Sequence, residues 1–254
     1  MALSSVLRTA NVLLHVIGSI LFCSGVYFHW QVKIPSKISP LDSAFGDKFK
    51  YLTFWNACIQ AFYFTYCLIL DIFVKSNPNK PPKTVAFKNY LFATIGFPIA
   101  CFVATVFWGL YTLDRELVLP RVLDPYFPMW LNHIVHTMVA VFAVLEMLSA
   151  PHTYPERSRG LFTLGTFTVI YVVWVHIIYL KSDLWVYPIL KELNLPFRML
   201  FFAAMLAYAF LLYIIGDVVN KLVNKKVHKT CHQGISPGMQ VNESSPLNSN
   251  FPVT

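Results

Sequence analysis

Six apolar runs constrain this chain more than any other feature: Thr9–Trp30, Tyr51–Val74, Tyr90–Tyr111, Met129–Leu148, Gly160–Leu180 and Phe197–Val219. Each is long enough to cross the hydrocarbon of a bilayer, which takes about 20 residues of helix. The expected fold class is therefore all-α, a polytopic membrane protein built as a six-transmembrane helical bundle. Composition points the same way. The chain is 56% hydrophobic and only 13% charged, with a mean hydropathy of +0.55, far from the balance of a soluble domain of this size. The first run is too long for a cleaved signal peptide and lacks a clear small-residue cleavage site, so it is expected to stay as the first span.

The organisation that follows is a transmembrane domain over residues 1–224 and a polar tail over residues 225–254, rich in Ser, Pro and Asn and expected to be disordered. The 75–89 stretch, "KSNPNKPPKTVAFKN", reads as a turn-rich solvated connection. An even number of spans puts both termini on one side. Eleven of the 20 Lys and Arg residues fall on that side, a small excess that favours cytoplasmic termini. Asn242-Glu243-Ser244 is then a silent glycosylation sequon. The net charge of +8 suits loops facing anionic headgroups rather than nucleic acid, since no basic stripe with interleaved aromatics is present. Cys23, Cys58, Cys67 and Cys101 lie within spans as small apolar residues, and Cys231 beside the last span is a candidate for palmitoylation or a plain thiol.

Ionisable residues inside spans are costly, and each is a functional candidate. They are His15, His29, Asp71, His133, His136, Glu146, His176 and Asp217. Depth sorts them. Spans two and four run in the same direction, so Thr53 in "KYLTFWN" and His136 in "NHIVHT", each in the first third of its span, share a half of the membrane and can meet if the two helices are neighbours. Asp71 lies 18 residues beyond Thr53, roughly 27 Å along a helix, and cannot join them. Asn132, His133 and His136 cover adjoining parts of one helical face, which is expected to look into the bundle. Three readings of that face stay open on spacing alone: a base held in one tautomer by Asn132, a buried hydrogen-bonded patch, or haem or metal ligation by His29, His133, His136 and His176. A non-enzymatic scaffold or transporter is a further alternative, for which the helix break expected at Pro98 is the one suggestive feature.

Five segments taken together carry a resemblance: "KFKYLTF" (48–54), "VFWGLYTLDREL" (106–117), "WLNHIVHT" (130–137), "YPERSRGL" (154–161) and "LWVYP" (184–188). In order and spacing the chain resembles, from about Lys48 to Asp217, the family of the androgen-induced protein and the androgen-dependent TFPI-regulating protein. The resemblance implies a multi-pass protein of the endoplasmic reticulum or plasma membrane that hydrolyses fatty acid esters of hydroxy fatty acids with an intramembrane Thr and a His. It assigns the catalytic Thr to Thr53 and the catalytic His to His136, with Asn132 and His133 as supporting residues. No cofactor, metal or nucleic acid is implied; the partner is a lipid substrate. Lys48 and Lys50, just before Thr53, are candidates to attract the carboxylate of such a substrate, or are simply solvated flanking charges.

Overall fold

The computed structural model describes residues 2–74, 82–149 and 152–233. Its helices are α1 (Ala2–Gln31), α2 (Leu52–Phe73), α3 (Lys83–Leu113) and α4 (Met129–Ser149), α5 (Arg157–Ser182), the short α6 (Pro188–Glu192) and α7 (Leu195–Gln233). All except α6 contain a segment long and apolar enough to cross a membrane, six in total among the described residues. No strand occurs among those residues. The fold is an all-α polytopic bundle.

Between helices immersed in lipid the apolar driving force is weak, so association rests on close packing. α1 lies most extensively along α2, and α3 packs against α2, α4 and α7. Phe22, Phe64 and Phe142 interlock near the centre, the Phe22–Phe142 ring centroids 5.4 Å apart edge to face. Gly25 lets α1 approach α4: a Cβ there would stand 2.7 Å from Ile134 Cγ2.

Two helices depart from α geometry. α3 widens to a π turn over Phe92–Gly96, immediately before Pro98, whose missing N–H leaves a gap in the α ladder. Gln60 Nε2 donates to the Gly96 carbonyl at 2.9 Å and so satisfies backbone that the irregular turn loosens. α4 carries a second π turn over Ile134–Met138, and His136 lies in it.

The connection expected over residues 75–89 is shorter than its composition suggests, because α3 begins at Lys83. Pro82 stands at the N-cap, where its missing N–H costs nothing. Downstream, Lys88 reaches to 3.8 Å from Glu146 and Asn89 lies 3.3 Å from His152, contacts that draw the segment into the bundle. α7 continues through Gln233, past residue 225 where disorder was expected to begin. Residues 75–81, the Cys231 side chain and Asn242 lie outside the described residues.

In the half of the bundle remote from Thr53, the polar residues form two clusters, one around Glu146 and one around Asp217. His15 bridges Asp71 Oδ2 at 2.5 Å and Glu146 Oε2 at 3.0 Å, and Tyr63 donates to Glu146 Oε1 at 2.8 Å. Asp217 accepts from Arg157 at 2.7 Å and from Lys221 at 2.8 Å. Buried charges persist only when paired and hydrogen-bonded, and each of these is. Asp71 is thereby committed far from Thr53, as its depth requires.

Candidate active site

Thr53 sits in the first turn of α2, and a short folded-back segment determines where that turn begins. Gly46 adopts φ +93°, where a side chain is strained and a Cβ would stand 3.1 Å from Lys50 Cγ. A 3₁₀ turn over Asp47–Lys50 follows. The fully buried Lys50 ammonium donates to the carbonyls of Asp42 at 3.2 Å and Ala44 at 3.1 Å, and burial pushes it below the usual lysine range. The indoles of Trp55 and Trp174 both donate to the Phe49 carbonyl, at 2.7 and 2.8 Å. The first amide of α2, that of Leu52, donates to the hydroxyls of Tyr171 at 2.9 Å and Tyr187 at 3.2 Å. Burial pushes the Tyr187 phenol up, so it stays a neutral hydroxyl able to receive that bond.

With its helix start fixed in this way, Thr53 Oγ1 lies 3.1 Å from His136 Nε2. The other ring nitrogen of His136 lies 2.7 Å from Asn132 Oδ1 and 3.2 Å from the Asn132 carbonyl. Both of these are acceptors, so Nδ1 carries the proton and Nε2 presents its lone pair to the Thr53 hydroxyl. The Phe107 ring stacks on the imidazole with centroids 3.5 Å apart, closing one face of it to water. Chemically this is a hydroxyl, a base and a group that orients the base, in the order nucleophilic catalysis needs.

A cavity of about 230 Å³ opens on the pair, with walls of mostly apolar side chains such as Ile99, Val103, Phe167 and Met205. Its polar lining includes Thr53 and His136 together with His29, Asp42 and Lys48. An apolar cleft with a few polar groups in it is the usual form of a small-molecule site.

A family model described as FAR-17a/AIG1-like protein matches residues 10–221. The chain belongs to that family. Among its relatives, human androgen-induced gene 1 protein is 33% identical over 208 residues, covering 79% of this chain and 85% of the relative. The mouse androgen-dependent TFPI-regulating protein is 36% identical over 176 residues, covering 69% of this chain and 76% of its own length. More distant, a fission yeast protein called UPF0641 membrane protein is 23% identical over 178 residues, 70% of this chain and 77% of its own. No solved structure matches the chain.

Within this FAR-17a/AIG1-like chain the bundle separates residues that spacing alone had grouped. His133 does not share the inward face with Asn132 and His136. It is exposed, stacks on Trp108 with centroids 5.4 Å apart and lies 3.1 Å from Thr137 Oγ1. The π turn explains this, because the extra residue per turn rotates His136 out of the register that a regular helix would share with His133. His176 likewise stays on its own helix, with Nδ1 2.8 Å from the Val172 carbonyl. The four imidazoles considered for haem or metal therefore do not converge. Among the described residues one group, His15, Cys67 and Glu146, gathers metal-ligand atoms, all within 4.8 Å of one another; His15 and Glu146 are the ion pair described above, with the Cys67 thiol beside them. Phe107, Tyr171 and Tyr187 reach the site from distant parts of the sequence. "LWVYP" carries one of these tyrosines, and nothing in its local pattern marks it as a helix cap.

Proposed function

We propose that the protein is an intramembrane ester hydrolase that cleaves fatty acid esters of hydroxy fatty acids, with Thr53 as nucleophile and His136 as general base. The observation that carries this reading is the fixed tautomer of His136: Asn132 holds the proton on Nδ1 while Nε2 lies 3.1 Å from the Thr53 hydroxyl. A threonine hydroxyl is a weak nucleophile without such a base, and a positioned base contributes about 10²–10⁴-fold.

In the reaction His136 Nε2 takes the hydroxyl proton as Thr53 Oγ1 bonds to the ester carbonyl carbon. The tetrahedral intermediate collapses as His136 returns that proton to the departing oxygen of the hydroxy fatty acid. Acyl-Thr53 remains, and water activated by the same imidazole releases the second fatty acid. The developing oxyanion forms at the first turn of α2, the positive end of that helix. There the amides of Phe54 and Trp55 donate to the Tyr51 carbonyl and that of Leu52 to the two tyrosines, while the N–H of Thr53 has no acceptor among the described residues and supplies a donor. The apolar walls of the cavity suit acyl chains, which stay at the depth of the lipid from which they enter.

Both termini face the cytoplasm in this reading, with the Thr53 end of the bundle towards the opposite side. The decisive experiment is lipid-ester hydrolysis by membranes containing wild type, Thr53→Ala and His136→Ala. Hydrolysis is expected in the first alone, and a serine-hydrolase-type covalent probe is expected to label wild type and not Thr53→Ala. Full activity in either variant overturns the assignment.

A further inference from the structure

His29 closes α1 as a buried imidazole, 6% exposed, and it lines the same cavity as Thr53. Its ring packs edge to face on Phe54 and Phe127, with centroids 5.2 and 5.3 Å away. Neither ring nitrogen has a hydrogen-bond partner among the described residues, and Nδ1 is completely enclosed. A buried polar group left unpaired forfeits its hydration with nothing in exchange. Unlike the unpaired Asn56 and Gln60 atoms on α2, this ring lines the cavity, so a partner can reach it from the ligand space.

Lys48 stands beside it in the cavity wall and is 4% exposed. Its ammonium has three donors and uses one on Asp42 Oδ1 at 2.7 Å, while Asp42 Oδ2 accepts from the Ile34 amide at 3.1 Å. Lys50, two residues on, has a different role, since its amine serves backbone carbonyls and it does not line the cavity. The two lysines that look equivalent in "KFKYLTF" thus divide into one that holds the loop and one that faces the ligand space. Lys48 and Asp42 alone form a nearly neutral pair. An incoming anion therefore needs the further donor that the unpaired ring of His29 supplies.

We propose that His29 and Lys48 form a carboxylate subsite, in which the Nε2–H of His29 and a remaining N–H of Lys48 hold the free acid group of a lipid whose ester lies at Thr53. The subsite rests on the hydrolase reading for the position of the ester, and it adds a basis for selection. A lipid ester bearing a free acid is favoured over a neutral ester of the same length, because charge-assisted bonds are roughly twice as strong as neutral ones.

The test uses an ether-linked, non-hydrolysable analogue of a fatty acid ester of a hydroxy fatty acid, as the free acid and as its methyl ester, titrated into the full-length protein in detergent. Wild type is expected to bind the acid at least about tenfold more tightly than the methyl ester, equivalent to 1.4 kcal/mol. In His29→Phe, which keeps the ring contacts and removes both nitrogens, that ratio is expected to fall towards one. Lys48→Met is made together with Asp42→Asn, so that no buried carboxylate is left unpaired, and is expected to behave in the same way. A ratio near one in wild type, or an undiminished ratio in both variants, overturns the subsite. Hydrolysis of the corresponding esters is followed in parallel. Discrimination in binding without hydrolysis overturns the Thr53–His136 reading and leaves the subsite standing, whereas hydrolysis without discrimination does the reverse.

Discussion

Asn132 Oδ1 lies 2.7 Å from His136 Nδ1, one helical turn along α4, and this contact determines which ring nitrogen of His136 faces Thr53. In Asn132→Leu the side-chain acceptor is lost and only the longer bond to the Asn132 carbonyl, 3.2 Å, holds the tautomer. The expected result is a fall in kcat of about 10-fold or more, part of what the base contributes, with KM little changed. Steady-state ester hydrolysis checks it. A KM effect at constant kcat would mean that Asn132 contacts substrate rather than orienting His136.

Lys50 acts on the site from a distance by tying the 42–44 backbone to the turn that starts α2. Lys50→Met keeps much of the side-chain volume but removes the donor from two carbonyls, a loss of about 1–3 kcal/mol. A lower midpoint of thermal unfolding in detergent is expected, together with reduced hydrolysis. The same replacement at Lys37, which is exposed, is expected to leave the midpoint unchanged.

The connection between α4 and α5 contains a titratable group with a clear sign. His152 is stacked on Phe92 and 2% exposed, and burial pushes its pKa down from 6.5 to about 4. Between those values the unfolded chain binds the proton and the folded one does not, so this stability is present above pH 6.5 and is lost as pH falls through about 4. The full difference is on the order of 3 kcal/mol. Unfolding of wild type and His152→Phe between pH 4 and 7 measures it, with the variant expected to show the shallower dependence. Parallel curves for the two proteins would remove His152 as the cause.

The proposed topology, with cytoplasmic termini, keeps the Asn242-Glu243-Ser244 sequon away from the glycosylation machinery of the lumen. Protein made in mammalian cells is accordingly expected to migrate identically before and after endoglycosidase treatment, and identically to Asn242→Gln. A mobility shift that Asn242→Gln abolishes would invert the topology.

Much of the arrangement around Thr53 is legible in the chain because one geometric rule links it. Spans two and four run in the same direction, so residues early in each share a depth, and Thr53 and His136 meet at 3.1 Å. The Asn132–His136 contact follows from i,i+4 spacing in the same way. His133 breaks the pattern because a π turn changes the residues per turn within α4, and the sequence "IVHTM" carries no sign of it. The 82–89 segment was obscured for a related reason. Its proline and lysines suggest a solvated loop, yet Pro82 opens a helix whose Lys88 and Asn89 find partners on α4 and on the connection that follows it.

Sequence by itself determined the class of solvent, the number of spans, their shared directions and the depth of each polar side chain, because span length and helix rise are local quantities. Only the tertiary structure decided which polar groups at a given depth face one another. It capped α2 with Tyr171 and Tyr187, paired Lys48 with Asp42 and committed Lys50 to the loop, turned His133 outward and left His29 unpaired at the cavity. Those outcomes depend on how helices far apart in sequence are rotated and packed against each other, and no local periodicity encodes that rotation.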